Sequence, residues 1–197
     1  TQTIVYLPHF MSWVVTASVF TLILSPSSSG LLNAILIKLG VIEEGIYFLG
    51  DQKWWRFMFY VINIWKDTGW GTIIFMATLS GINPELYEAA SMDGAGRWSQ
   101  MRYITLPALA NTIITVLILN LAKVMNLFES VFVLQNDAVI QKADVLQTYI
   151  YSQTFNSGTL PDFGYTTAVS LVSSLVGCAL VLICNRASYK VRGRGIV

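Results

Sequence analysis

The sequence predicts an all-α, polytopic bundle of membrane-spanning helices, and three observations carry that reading. Charged residues make up only 12% of the 197 positions while hydrophobic residues make up 54%. Soluble domains carry about 25% charged residues, and a soluble chain this poor in charge would leave much apolar surface in water. Apolar runs near the length a helix needs to cross a bilayer, roughly 20 residues, recur along the chain. The polar residues gather between these runs, where they bring helix start and stop signals. A net charge of +1 offers no basic surface for nucleic acid.

Four segments in order are expected to span. The first runs from His9 to Leu24, with Pro8 near its start. Pro26 to Gly30 reads as a turn. Leu31 to Leu39 then reads as a short helix ended by Gly40, since glycine takes the left-handed cap readily. Too short to span, that helix is expected at the interface or packed on the bundle. Trp54, Trp55 and Arg56 come next, and tryptophan favours the headgroup level. The second span, Phe57 to Leu79, is interrupted by Lys66 and Asp67. The third, Ala108 to Val133, carries Asn120, Lys123, Asn126 and Glu129. Gln135 to Phe163 is long and mixed, with an amphipathic helix expected over Asp144 to Phe155 and a turn over Gly158 to Gly164. The fourth span, Thr166 to Cys184, holds no charge, and Ser170, Ser173, Ser174 and Gly177 give it a small-residue edge suited to close helix packing. Cys178 and Cys184 are six apart on that helix and point to different faces, which makes them packing residues rather than a pair. The chain starts at Thr1 without a signal-peptide pattern, and is expected to be a piece of a longer chain.

Arg186, Lys190, Arg192 and Arg194 follow the fourth span, and the excess of Lys and Arg on cytoplasmic segments places this tail in the cytoplasm. Counting back, 135–163 lies outside, 83–107 inside with Arg97 and Arg102, and 26–56 outside.

The inside loop has the clearest chemistry. Asn83 suits an N-cap, Pro84 the first helical position, and Glu85 the positive helix end. Ala89 and Ala90 keep part of the helix surface small, Gly94 can end it, and Ile104, Leu106 and Pro107 lead into the third span with proline in a first turn. A short helix joined to two spanning helices works as a lever; the plainer reading is an ordinary surface helix.

Glu88-Ala89-Ala90, then Gly94, Ile104, Leu106 and Pro107 at fixed spacing, with Asp93 and Ala95 flanking the glycine, resemble the signature loop of permease subunits of binding-protein-dependent ABC importers. Trp65, Gly69, Gly71 and 79–87 resemble the carbohydrate branch of that family. So do 128–134, although Gln135-Asn136-Asp137 stands where that branch continues with Thr and Gly-Gly-Pro. Tyr149 to Phe155 and 164–168 also fit that branch, and Tyr6-Leu7-Pro8-His9-Phe10 with Ser12-Trp13 resembles its complex-glycan and oligosaccharide subgroup. The resemblance implies a type I importer permease fold over 1–197, with earlier spans lying before this piece. It also implies a coupling loop over 83–107 in which Glu88, Ala89, Ala90, Asp93, Gly94, Ile104, Leu106 and Pro107 meet a nucleotide-binding ATPase subunit. Further implied partners are a second permease subunit, in a heterodimer by preference, and an extracytoplasmic solute-binding protein docking on 26–56 and 135–163. The setting is the bacterial cytoplasmic membrane. ATP and Mg would sit on the partner ATPase, because this chain has no G-x-x-x-x-G-K-[ST] phosphate cradle.

Polar residues within spans are expensive and usually face the bundle interior or water. Helical geometry puts Asn120, Lys123, Asn126 and Ser130 on one face of the expected third span, with Glu129 beside it, as a pathway for a hydroxyl-rich substrate. An internal polar network is the alternative. On the second span Asn63, Asp67 and Trp70 share a face beside Lys66, expected to sit near the outer mouth, to line the cavity, or to snorkel locally. His9 is read as packing or interfacial. No spacing suggests a metal site or a nucleophile–base pair. The rival functional reading is an ion-gradient-driven transporter using Lys66, Asp67, Lys123 and Glu129, which leaves the inside loop unexplained.

Overall fold

A computed structural model describes residues 2–27, 30–156 and 161–192. Within them the chain runs as α1 (Gln2–Phe10), α2 (Trp13–Ile23), α3 (Leu31–Lys38), α4 (Trp55–Ser80), α5 (Glu85–Met92) and α6 (Arg97–Gln100). A π-helical turn (Met101–Thr105) follows, then α7 (Leu106–Val124), α8 (Glu129–Leu134), α9 (Ile140–Ala143), α10 (Leu146–Phe155) and α11 (Phe163–Arg192). The described residues are helical with no strand, as expected. Parts of two expected features, the 26–30 and 158–164 turns, and of the basic tail lie outside them. The chain divides into two compact units, Thr1–Gly69 with Met125–Leu175, and Trp70–Val124 with Val176–Val197.

By length and apolarity the described helices supply two spans, or three if the bent α1–α2 pair is one span, against the expected four. Two helices among the described residues are long and apolar enough to cross a bilayer: the continuous 28-residue helix Arg97–Val124 and the 27-residue stretch Phe163–Tyr189 of α11. The expected first span is broken, with α1 and α2 meeting at 109°. Ser12 causes the break locally. Its backbone is extended, and its hydroxyl accepts from the Val15 N–H at 3.2 Å, so a new helix starts there. At 11 residues, α2 is too short to cross alone. Helix α4 has the length, 26 residues, but Asn63, Lys66 and Asp67 make its middle too polar to count on apolarity alone. The expected third span stops at Val124 instead of Val133, and the fourth is longer than expected at both ends.

The core of the first unit draws on the connections as much as on the long helices. Phe48 and Leu49 from one connection and Val131, Leu134, Val139 and Ala143 from the other bury against Trp55, Met58 and Phe59 at the start of α4. Trp55 is only 3% exposed. It stacks on Phe59 at 5.1 Å and donates its indole N–H to the Leu134 carbonyl at 3.0 Å. An indole is buried comfortably when its one donor is satisfied, which this carbonyl does. Asn33, wholly buried, ties the same region together. Its amide donates to the carbonyls of Ser25 (2.7 Å) and Ile46 (2.9 Å), and its oxygen accepts from the Ile46 N–H at 3.0 Å. Helix α3 ends as expected at Gly40, which has φ +68. In α10, expected to be amphipathic, the buried positions are Thr148 and Thr154 rather than apolar ones. Thr166 and Ser173 are buried along the small-residue edge of α11.

Candidate functional site

The 83–107 loop belongs to the second unit, and its first helix is capped as its residues predict. Asn83 Oδ1 accepts from the Glu85 N–H at 3.1 Å. Pro84 follows with helical angles (φ −57, ψ −31). At the far end Gly94 takes φ +80. Its N–H donates to the Ser91 carbonyl at 3.1 Å, and the Ala95 N–H reaches back to the Ala90 carbonyl at 2.9 Å. Those two bonds form the Schellman ending, which satisfies the last carbonyls and needs a left-handed residue at that one position. A side chain on Gly94 would meet nothing within 4 Å, so the demand is on backbone angle alone. Glu88, Ala89, Asp93 and Gly94 are exposed and Ala90 is half-buried.

Two side chains that sequence reading passed over hold this helix to the one that follows. The Tyr87 hydroxyl pairs with the Thr105 hydroxyl at 2.9 Å. Gln100 donates from its amide to the Ser91 hydroxyl (2.8 Å) and the Ala95 carbonyl (3.1 Å). Yet no residue of α5 is buried, and Leu86, Met92 (89%) and Trp98 (81%) stay exposed. The loop is therefore pinned by hydrogen bonds while its apolar side chains remain outside.

Pro107 does not sit in a first turn, because the helix already starts at Arg97. The π turn Met101–Thr105 precedes it, and the Leu106 N–H donates to the Met101 carbonyl five residues back. Proline lacks an N–H, and in a regular α-helix its ring crowds the carbonyl four residues earlier. A wider turn just before it lets the helix continue through the Leu106–Pro107 step. Ile104 is half-buried, and Leu106 and Pro107 are exposed.

The expected polar face of the third span is not one face. Helix α7 ends at Val124, so Asn120 and Lys123 lie on it while Asn126 lies in the turn beyond, and Glu129 and Ser130 begin α8. The turn is held by Gln147, whose amide donates to the Met125 carbonyl at 3.2 Å and lies 3.5 Å from Asn126 Oδ1. Ser130 is buried, while Lys123, Asn126 and Glu129 are exposed. In the second unit Asn120 is the polar member of an open groove of about 380 Å³ lined by Phe75, Ile113, Val116, Leu117, Leu121 and Val124.

On α4, Asn63 donates to the Phe59 carbonyl of its own helix at 2.8 Å. Lys66 does not snorkel: it is 5% exposed and fixes the α1–α2 break. Its ammonium donates to the carbonyls of Pro8 (3.2 Å), His9 (3.0 Å) and Met11, and lies 5.3 Å from the Trp13 ring centroid. Those carbonyls close the C-terminal end of α1, where a cation is favoured by the helix dipole. Three ammonium donors meeting three acceptors also repay its burial. Next to it, Asp67 is exposed, with its carboxylate 3.3 Å from His9 Nδ1. One turn on, at Gly69, an added Cβ would lie 2.2 Å from the Val5 carbonyl oxygen, so α1 crosses α4 against bare backbone.

Residues 1–190 match the family described as the binding-protein-dependent transport system inner membrane component. The chain belongs to this family. It is 40% identical over 196 residues to the polygalacturonan/rhamnogalacturonan transport system permease protein YteP of Bacillus subtilis (strain 168), covering 99% of this chain and 59% of that protein. It is 41% identical over 196 residues to Protein LplB of the same organism, again 99% of this chain and 60% of that protein. Among solved structures, a bacterial ABC transporter involved in the import of the acidic polysaccharide alginate superposes with a TM-score of 0.90 at 36% identity, covering 97% of this chain and 65% of that one. The alginate ABC transporter in complex with an alginate pentasaccharide-bound periplasmic protein gives 0.91 at 36% identity, covering 99% of this chain and 66% of that one. The chain thus spans about 60% of the length of those two curated relatives.

Membership of the binding-protein-dependent transport family agrees with the helical membrane fold read from composition. Within that fold, the residues sequence reading missed were Tyr87, Gln100 and Thr105 in the loop and the carbonyl ends of α1 around Lys66. For Lys66, Pro8 followed by Ser12 was the available signal: a proline and an N-cap four residues apart announce a break whose carbonyls need a donor.

Proposed function

We propose that this chain is the later part of the transmembrane permease subunit of an ATP-driven importer for an oligosaccharide or other carbohydrate. It forms half of the translocation pathway, and the 83–107 loop receives force from a separate ATPase. The observation that carries the reading is the loop's combination of internal rigidity with outward apolar residues. Tyr87 and Gln100 bind α5 to the helix that becomes the Arg97–Val124 span, while Leu86, Met92 and Trp98 stay exposed for another surface to cover. Residues Glu88, Ala89, Ala90, Asp93 and Gly94 present that helix, and Ile104, Leu106 and Pro107 join it to the span. Closure of the ATPase around ATP and Mg would push α5, and the push would reach the Arg97–Val124 span through the two side-chain pins as well as through the backbone.

Kinship supports the substrate class: YteP is named for polygalacturonan and rhamnogalacturonan transport, and the alginate transporter for an acidic polysaccharide. A second permease subunit, in a heterodimer, would complete the pathway. A solute-binding protein would deliver substrate on the 26–56 and 135–163 connections, a partner of the kind found in the alginate ABC transporter's complex with an alginate pentasaccharide-bound periplasmic protein. The setting is the bacterial cytoplasmic membrane, with the C-terminus inside. Asn120 in its groove is the α7 candidate for the pathway, and Lys123, Asn126 and Glu129 are exposed candidates around the turn.

The experiment is cross-linking and uptake in the intact transporter. An Ala89→Cys variant is expected to form a cross-link to the ATPase subunit, and oligosaccharide uptake to stop on ATP depletion while surviving an uncoupler of ion gradients. Uptake that collapses with the uncoupler and continues without ATP would establish the ion-gradient mechanism instead.

A further inference from the structure

The broken first span brings His9 against Lys66 and Asp67 of α4. Asp67 sits 12 residues from Trp55 and 13 from Ser80, the middle of a helix about 39 Å long at 1.5 Å per residue. In a helix that crosses a bilayer, the middle lies at mid-membrane depth. A carboxylate there is costly on lipid, by roughly 2.5 to 3.5 kcal/mol even on the lenient scales. Yet its side chain is 63% exposed, and its partner His9 is 29% exposed. The neighbouring cation does not neutralise it by contact, because the Lys66 donors go to the carbonyls of Pro8, His9 and Met11. Irregular backbone at membrane depth is itself tolerated only where protein buries it or where it lines water. At the α1–α2 break Lys66 satisfies the backbone carbonyls, and Asp67 with His9 lies beside it, partly exposed.

We propose that Asp67 faces the aqueous substrate pathway and accepts hydrogen bonds from adjacent saccharide hydroxyls, with His9 and Lys66 as positioning residues that hold the site. An ionised carboxylate carries only acceptors, so it matches two neighbouring O–H donors of a sugar ring. It repels a uronate carboxylate, which brings like charge and no donor. The site therefore reads the hydroxyl face of a sugar unit and turns acidic groups away from this side of the pathway. Lys66 fixes the His9 backbone through its carbonyl, and the His9 ring orients Asp67 across 3.3 Å. The bare backbone of Gly69 keeps α1 close enough for both contacts. This assignment rests on the carbohydrate-importer reading and adds a contact residue to it.

Two arms test it in the intact transporter, reconstituted in vesicles after replacement of Cys178 and Cys184 by serine. In the first, Asp67→Cys is exposed to a charged, membrane-impermeant thiol reagent beside Leu171→Cys, a site on the apolar α11 that is exposed in this chain. Labelling at least 10-fold faster at position 67 is expected; equal rates would overturn the aqueous placement, whatever the substrate. In the second, uptake of the best-transported member of a panel of neutral and uronate trisaccharides is compared with Asp67→Asn. The half-saturation concentration should rise 5-fold or more with the maximal rate within 2-fold. Normal wild-type uptake with an unchanged half-saturation in Asp67→Asn would remove the hydroxyl contact and leave the importer reading standing. A wild-type transporter that moves no saccharide would sink both. Should Asp67→Asn fail to accumulate, Asp67→Glu, which keeps the acceptor but shifts it by one methylene, should raise half-saturation 3-fold or more, and no change would count against the contact.

Discussion

Two sets of connecting segments in this chain are built on opposite principles. The 30–56 and 129–156 connections, both in the first unit, are built into a core shared with α2 and α4, around Trp55, Phe48, Leu134 and Val139, with Asn33 bonding buried backbone. The 81–105 connection, in the second unit, has no buried residue in α5 and is held by side-chain hydrogen bonds from Tyr87 and Gln100. Burying apolar surface stabilises a segment in itself, whereas leaving that surface outside reserves it for a partner. A loop that must take force from another protein has reason to be shaped internally yet unfinished on its outer face.

Substitutions can break or sharpen this contrast. The largest effect is expected from Trp55→Ala, which removes a stacked ring and leaves the Leu134 carbonyl without its donor. A loss of about 3–5 kcal/mol is typical of such a truncation, read as a large fall in the thermal midpoint of the purified transporter. A midpoint within two degrees of wild type would show that the connections do not share a core. Gly94→Ala should cost less, about 1 kcal/mol, because it forces a side chain into left-handed backbone where there is open space for it. Its signature is functional: ATP-driven uptake should drop more than protein stability does, and equal loss of both would reduce Gly94 to a fold residue. Smallest in stability is Met92→Ala, at under about 0.5 kcal/mol for a residue 89% exposed. If the outer face of α5 is a docking surface, co-purification of the ATPase should nonetheless weaken several-fold. Undiminished co-purification would place the contact elsewhere.

Local signals were read well where one or two residues decide the outcome. Gly40 and Gly94 end their helices in left-handed backbone, and Asn83 with Pro84 starts α5, because caps depend on residues within a few positions. Breaks within a long apolar stretch are not local in this way. The 108–133 span was carried through Met125–Phe128 on apolar composition, which does not report the turn that Gln147 stabilises from a later segment. The helix end at Val124 disperses the expected face: Asn120 and Lys123 stay on α7, while Asn126, Glu129 and Ser130 do not. The burial of Trp55 is not legible locally, because it depends on α8, which is distant in sequence.

Composition, periodicity and capping residues by themselves determined a helical membrane chain with a capped helix in a polar loop, and the spacing from Glu88 to Pro107 pointed to the family. Those properties are additive over neighbours, so a linear reading captures them. The tertiary structure alone decided what the polar residues touch. Lys66 meets three carbonyls more than fifty residues away, Trp55 meets one 79 residues away, and α1, bent 109° from α2, packs against the bare backbone of Gly69. A buried donor must find an acceptor wherever the fold places one, and that pairing is a property of the packed chain rather than of its local pattern.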